Sequence, residues 1–198
     1  MSDTTLSTFM SETLALGPDG ANQLPISSVC NARCIFCSNT MNPFPIHRLG
    51  FRPLDDVQQG IALLDPQADE IRLGDSLPGR ISEGEALLHP DLLAILQMVR
   101  DRAPRSAIQI STNGSLLTQR LVEQLLPFRP MKFTISYHSD NAENWQRIFN
   151  RGAKHHAVAR ESFRLLREHG FHLDGALVPL PALVGYADIE QTIRALKA

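Results

Sequence analysis

The sequence predicts an α/β fold: a parallel sheet of about five β/α units, either open or curled into a partial (β/α) barrel. Two observations carry this expectation. Short apolar segments of strand length alternate with longer segments whose apolar residues recur at helical spacing. Strict alternation of the two places helices outside a parallel sheet, joined by right-handed connections. A chain of 198 residues has room for one sizeable core and little for a second.

Each element has a local reason. Residues 1–22 carry a weak helical pattern followed by the turn chemistry of Gly17-Pro18-Asp19-Gly20, and read as a lead-in. Residues 23–198 read as the core domain. Residues 24–29 predict a first strand ending at Cys30. Residues 38–52 hold two prolines, two asparagines and Gly50, and predict a long loop. Pro53 suits a first helical turn, with Asp55 and Asp56 at its positive end. Val57, Ile61, Leu63 and Leu64 give that helix a buried side. Residues 70–73 predict the second strand, followed by a Gly-rich stretch over 74–84. Pro90 opens a helix in which Leu92, Ile95, Leu96 and Val99 share one face.

Residues 107–111 predict the third strand, running into Thr112-Asn113-Gly114. Leu117, Leu121, Val122 and Leu125 line the next helix. Residues 131–137 alternate as the fourth strand. A helical region follows, broken near Arg151-Gly152 and ended by Gly170 as a C-cap. Residues 171–180 predict the fifth strand and 188–198 the last helix. In such folds ligands sit at the carboxyl ends of the strands, and every unusual residue cluster of this chain falls at such an end.

Composition narrows the function. A net charge of −2 lacks the basic excess of a typical nucleic-acid binder. The first twenty residues contain Asp3, Glu12 and Asp19 and no basic residue, the wrong pattern for a secretory leader. No apolar run approaches the roughly 18 residues of a membrane span. The expected location is cytoplasmic. All three cysteines, Cys30, Cys34 and Cys37, fall within eight residues. An odd, clustered set is a poor disulfide framework and a good ligand set in a reducing compartment. Spaced C-x3-C-x2-C on a loop, three thiolates can serve three irons of a cubane and leave the fourth open to a substrate.

This loop, placed after a first strand and with aromatic Phe36 before its last cysteine, resembles the radical SAM superfamily. Three further matches follow in order. Gly84-Glu85 resembles the superfamily's Gly-Gly-Glu motif, with Glu83 in place of the first glycine. Ser111-Thr112-Asn113-Gly114 resembles the end of its third strand. Ser136, at the end of strand four, and Arg151-Gly152, nineteen residues before Gly170, match positions that face the carboxylate of S-adenosylmethionine (SAM). The resemblance implies a [4Fe–4S] cluster on Cys30, Cys34 and Cys37. It implies SAM contacts from Phe36, Gly84, Glu85, Ser111, Asn113, Ser136 and Arg151, with Val178 in an apolar wall against adenine. Arg147 competes with Arg151, and His138 lies beside the proposed site.

The activity implied is reductive cleavage of SAM to a 5′-deoxyadenosyl radical that attacks an unidentified substrate. A flavodoxin- or ferredoxin-like protein would donate the electron. Two other readings stay open on the residues alone. One is an iron–sulfur redox or sensory protein that never cleaves SAM. The other is a zinc-binding α/β module with His47 or another distant histidine as fourth ligand. The superfamily core has six β/α units, so five imply a partial barrel, either truncated at its C-terminal side or belonging to a short member whose final strand is missing or supplied otherwise. Its fifth strand, carrying Leu173, Ala176, Val178 and Leu180, would then keep an unpaired edge.

Overall fold

The structure, a computed structural model, describes residues 23–37, 50–73 and 84–197. The predicted lead-in and most of the predicted 38–52 loop and 74–84 stretch lie outside the described residues, as does His47. Four strands, β1 (Glu70–Leu73), β2 (Ala107–Thr112), β3 (Met131–Ser136) and β4 (His172–Ala176), form one sheet in the order β1-β2-β3-β4. All three pairings are parallel. The helices are α1 (Leu54–Ala62), α2 (Leu92–Arg102), α3 (Gln119–Leu125), α4 (Ala142–Phe149), α5 (Ala153–Glu168), α6 (Pro181–Val184) and α7 (Tyr186–Lys197). The α/β class and parallel sheet agree with the sequence, as does the break between α4 and α5. Asn150 takes a left-handed φ of 51° there, and Gly170 one of 68° after α5.

Two predicted strands differ. Residues 24–29 form no ladder. Gln23 makes a single parallel bridge to Arg72, and the Leu24 N–H donates to the Arg72 carbonyl. Pro25 then offers no N–H, and beyond it the Ser27 and Val29 carbonyls accept from Gly84 and Glu85 instead. The segment still occupies the lane beside β1. The fifth strand stops at Ala176 rather than reaching residue 180. The Val178 N–H goes to a side chain, His138, and Pro179 has none. Leu63, expected in the buried side of α1, follows that helix and is exposed.

The sheet has two unlike faces. Ile71, Leu73, Ile108, Ile110, Met131, Phe133 and Ile135 point to the helix side and are buried. Each such side chain contributes about 1.5–3 kcal/mol by leaving water. The alternate residues, Glu70, Arg72, Ser111, Lys132, Thr134, Ser136, His172 and Asp174, are half-buried or exposed. Parallel sheets are usually apolar on both faces; here the inner face is polar. Lys132 lies 3.0 Å from Asp174 and 4.0 Å from Glu70. Leu196 of α7 lies against Gly175, where a Cβ would come within 2.5 Å of it. Among the described residues, no helix is long and apolar enough to cross a membrane.

Candidate functional site

The cysteine loop is held by backbone on both sides. Before it, the Gly84 N–H donates to the Ser27 carbonyl at 2.7 Å and the Glu85 N–H to the Val29 carbonyl at 2.8 Å. The approach is so close that a Cβ at residue 84 would sit 2.0 Å from the Val29 oxygen, which only glycine avoids. Within the loop, the Cys37 N–H donates to the Cys34 carbonyl at 3.1 Å, closing a tight turn. On the far side, the Arg33 and Ile35 N–H groups donate to the Phe149 and Ile148 carbonyls, each at 3.0 Å. These are carbonyls that the end of α4 leaves without helical partners.

All three cysteines are free thiols, Cys30 exposed and the others half-buried. Burial pushes the Cys34 thiol up to about 12, with Cys30 and Cys37 adding to the rise. Cys30 is also raised, chiefly by desolvation, although its side chain reaches solvent. The Ala32 N–H and the Arg151 guanidinium act the other way on it, so Arg151 lies within electrostatic reach of this thiol.

At the end of β2, Glu85 is buried and turned inward. Its carboxylate accepts from Thr112 Oγ1 at 2.7 Å, the Asn113 N–H at 2.9 Å and the Leu87 N–H at 3.3 Å. Desolvation raises its pKa, and these three bonds oppose the rise. The Asn113 side chain is engaged at both ends: Nδ2 donates to Asn31 Oδ1 at 2.8 Å, and Oδ1 accepts the Ser115 N–H at 3.0 Å. Asn31 Nδ2 donates in turn to Ser115 Oγ at 3.0 Å. Ser111 is half-buried on the inner face, accepting from Gln109 Nε2 at 3.3 Å.

At the end of β3, Ser136 is half-buried on the inner face, paired in register with Ala176. His138 is buried between two rings: Phe36 meets it edge-on at 4.7 Å and Phe149 stacks on it at 5.1 Å. The Val178 N–H donates to His138 Nδ1 at 3.0 Å. Burial lowers the His138 pKa to about 4, so at neutral pH the ring is uncharged and carries its proton on Nε2. One histidine thus joins Phe36, Val178 and the end of α4.

Arg151 Nη2 donates to His155 Nε2 at 3.0 Å, which leaves the proton of a neutral His155 on Nδ1. Both Arg151 Nε and His155 Nδ1 are buried without a hydrogen-bond partner among the described residues. Two N–H donors on touching side chains therefore lack an acceptor. Arg147, the competitor, is exposed and engaged with Asn144 and the Leu183 carbonyl.

The fold thus places Phe36, Gly84, Glu85, Ser111, Asn113, Ser136, Arg151 and Val178 at the carboxyl edge of the sheet or on the loops beside it. It links Phe36 with Val178 through His138, and Glu85 with Asn113, and it brings Arg151 within electrostatic reach of Cys30. It gives Glu85 and Asn113 protein partners. Sequence reasoning missed Asn31, Ser115 and His155. Asn31 lies inside the cysteine motif, but nothing local marks its partners. His155 carries a signal, being four residues after Arg151 and so on the same side of a helix.

A parallel β/α sheet with free thiols on a loop at its carboxyl edge defines a protein of the partial-barrel class, a class in which ligands sit at the strand ends. The chain belongs to the radical SAM superfamily, whose profile matches residues 24–196. Among solved structures, it is similar to native anSMEcpe with bound AdoMet, with TM-score 0.62 and 13% identity over 87% of this chain and 48% of that one. It is similar to SuiB of Streptococcus suis bound to S-adenosylmethionine, with TM-score 0.58 and 12% identity over 88% and 36%. TYW1 with a lysine–pyruvate adduct gives 0.52 and 12% over 96% and 76%. At these identities the likeness is one of fold. The chain spans 36% of SuiB and 48% of anSMEcpe. No curated protein sequence matches it.

Proposed function

We propose that this chain is the SAM-cleaving core of a radical SAM enzyme, with Cys30, Cys34 and Cys37 holding a [4Fe–4S] cluster. The observation that carries the reading is the pairing of a three-thiol loop with Arg151, which lies within electrostatic reach of Cys30 and has a buried Nε–H without a partner among the described residues. Soft thiolates suit iron–sulfur chemistry, and three of them leave one iron open. When bound, the cluster supplies the electron that cleaves the sulfonium.

The remaining work falls to the chain's own side chains. Arg151, with His155 beside it, offers N–H donors to the SAM carboxylate, the group a guanidinium fork suits best. The hydroxyls of Ser111 and Ser136 lie on the inner face of the sheet, near its carboxyl edge. Phe36 and Val178, tied together through His138, form the apolar side against adenine and keep water out. Uncharged at neutral pH, His138 adds no positive charge beside the sulfonium. The Gly84 carbonyl is a backbone acceptor for the ammonium. A flavodoxin- or ferredoxin-like protein fits as the electron donor.

Among the described residues, no three His, Cys, Asp or Glu side chains are placed to hold a single metal ion. Structural zinc needs such convergence, whereas a cubane takes one thiolate per iron. The reading as a redox or sensory protein must be separated at Arg151, because Glu85 and Asn113 already have protein partners. Anaerobic reconstitution should load about four irons per chain. Under strong reductant the loaded chain should release 5′-deoxyadenosine from SAM. Iron loading without any SAM binding would leave only the electron-transfer reading.

A further inference from the structure

We propose that Asn31, Glu85 and Asn113 are positioning residues: a hydrogen-bonded clasp that fixes Cys30 from both sides and sets the cysteine loop against the end of β2. The proposal rests on reading residues 30–37 as the cluster loop.

The bonds close a ring. The Val29 carbonyl accepts from the Glu85 N–H, the Glu85 carboxylate accepts the Asn113 N–H, and Asn113 Nδ2 donates to Asn31 Oδ1. Val29 and Asn31 are the two neighbours of Cys30, and both are tied to one anchor, Val29 through its carbonyl and Asn31 through its side-chain amide. The amide orientations follow from the donors. The Ser115 N–H can only donate, so the atom it meets is Asn113 Oδ1. Asn113 then presents Nδ2 to Asn31, which must answer with Oδ1 and turn its own Nδ2 to Ser115 Oγ. Every polar atom of the two amides is accounted for within the protein, apart from spare capacity on each.

Glu85 is the base of the clasp. It is 2% exposed, and its two oxygens already accept from Thr112, Leu87 and Asn113. A buried carboxylate so occupied acts on the loop through Asn113 rather than as a free acceptor for a ligand ammonium. Cys34 and Cys37 are held differently, through the Arg33 and Ile35 N–H groups on the end of α4. Loss of the clasp should therefore loosen Cys30 selectively.

Two measurements test this. The first uses the metal-free chain and does not depend on the cluster. Urea unfolding of wild type, Asn31→Ala, Asn113→Ala and the double variant should give a coupling of roughly tenfold in the folding equilibrium constant, the double variant being little worse than the worse single one. Additive effects would overturn the clasp. The second is anaerobic reconstitution. Asn31→Ala should load about one iron fewer than wild type and show a changed paramagnetic resonance signal on reduction. Asn31→Asp should restore both, since its carboxylate accepts from Asn113 Nδ2 and from the Ser115 hydroxyl. Wild-type iron content and spectrum in Asn31→Ala would sink the proposal even if that variant were less stable. Failure of wild type itself to bind iron would refute the cluster reading, and the unfolding cycle alone would then decide the clasp.

Discussion

The two halves of the site are built on opposite plans. Around the cysteine loop and the end of β2, donors and acceptors meet within the protein: Gly84 and Glu85 with residues 27–29, Glu85 with Thr112 and Asn113, Asn113 with Asn31. Around the ends of β3 and α4, Arg151 and His155 keep buried N–H groups without partners among the described residues. A half whose polar groups are satisfied holds its shape without a ligand. A half with unmet donors has an incentive to take one, since an unsatisfied buried group costs about 1–3 kcal/mol. On the proposed function, the difference separates residues that shape the site from residues that would bind in it.

The largest effect should come from the thiols. Cys34→Ala should abolish stable iron loading, measured as iron per chain after anaerobic reconstitution. Full loading in that variant would remove the basis for a cluster on this loop. Next comes the open half. Arg151→Gln should weaken SAM binding to the loaded chain by roughly 10- to 100-fold, the weight of a charge-assisted hydrogen bond. The same change should leave the ligand-free chain as stable as wild type. Calorimetric titration and a urea melt together decide this; a stability loss with unchanged affinity would reverse the assignment of that half.

Glu85 should behave the other way round. Glu85→Ala removes the acceptor of three bonds and should destabilise the ligand-free chain by about 1–3 kcal/mol. If it instead spared stability and cost only SAM affinity, Glu85 would belong with the binding residues. The smallest effect concerns pH. His138 is held at about 4, below its ordinary value of 6.5, because burial disfavours the charged ring. Between those values the unfolded chain takes up a proton that the folded chain refuses, so stability rises with pH across the window and is lost on acidification. His156 is lowered by burial as well and has the same sign. Urea midpoints of wild type and His138→Asn, compared at the two ends of this window, should show a shallower pH slope in the variant.

Most of the framework was legible because its signals are local. Alternation marked β3, helical spacing marked α2 and α3, and Arg151-Gly152 and Gly170 marked the ends of α4 and α5. The first and fifth strands were misjudged for one reason: an apolar run does not say where its backbone bonds go. Pro25 and the Gly84 loop redirected the first, and His138 took the N–H of Val178 from the second. In the site, the cysteines and Gly84 stand out as a compact motif. The clasp does not, because Asn31 and Asn113 are 82 positions apart and an asparagine next to a cysteine has no distinctive pattern. Nor could the sequence show that the Glu85 carboxylate would accept from Thr112, Asn113 and Leu87.

The seating of the cysteine loop on α4 bears on how readily this site takes up an electron. Two of the loop's N–H groups, those of Arg33 and Ile35, are committed to helix carbonyls and so are turned away from the thiols. Hydrogen bonds to sulfur are among the protein's main means of raising a cluster's reduction potential. The carbonyl end of a helix also carries partial negative charge, which repels added electron density. Arg151 supplies the opposing positive field near Cys30. The Cys30 sulfur also accepts the Ala32 N–H at 3.4 Å, so a cluster held on this loop would be harder to reduce on the α4 side than on the Cys30 side.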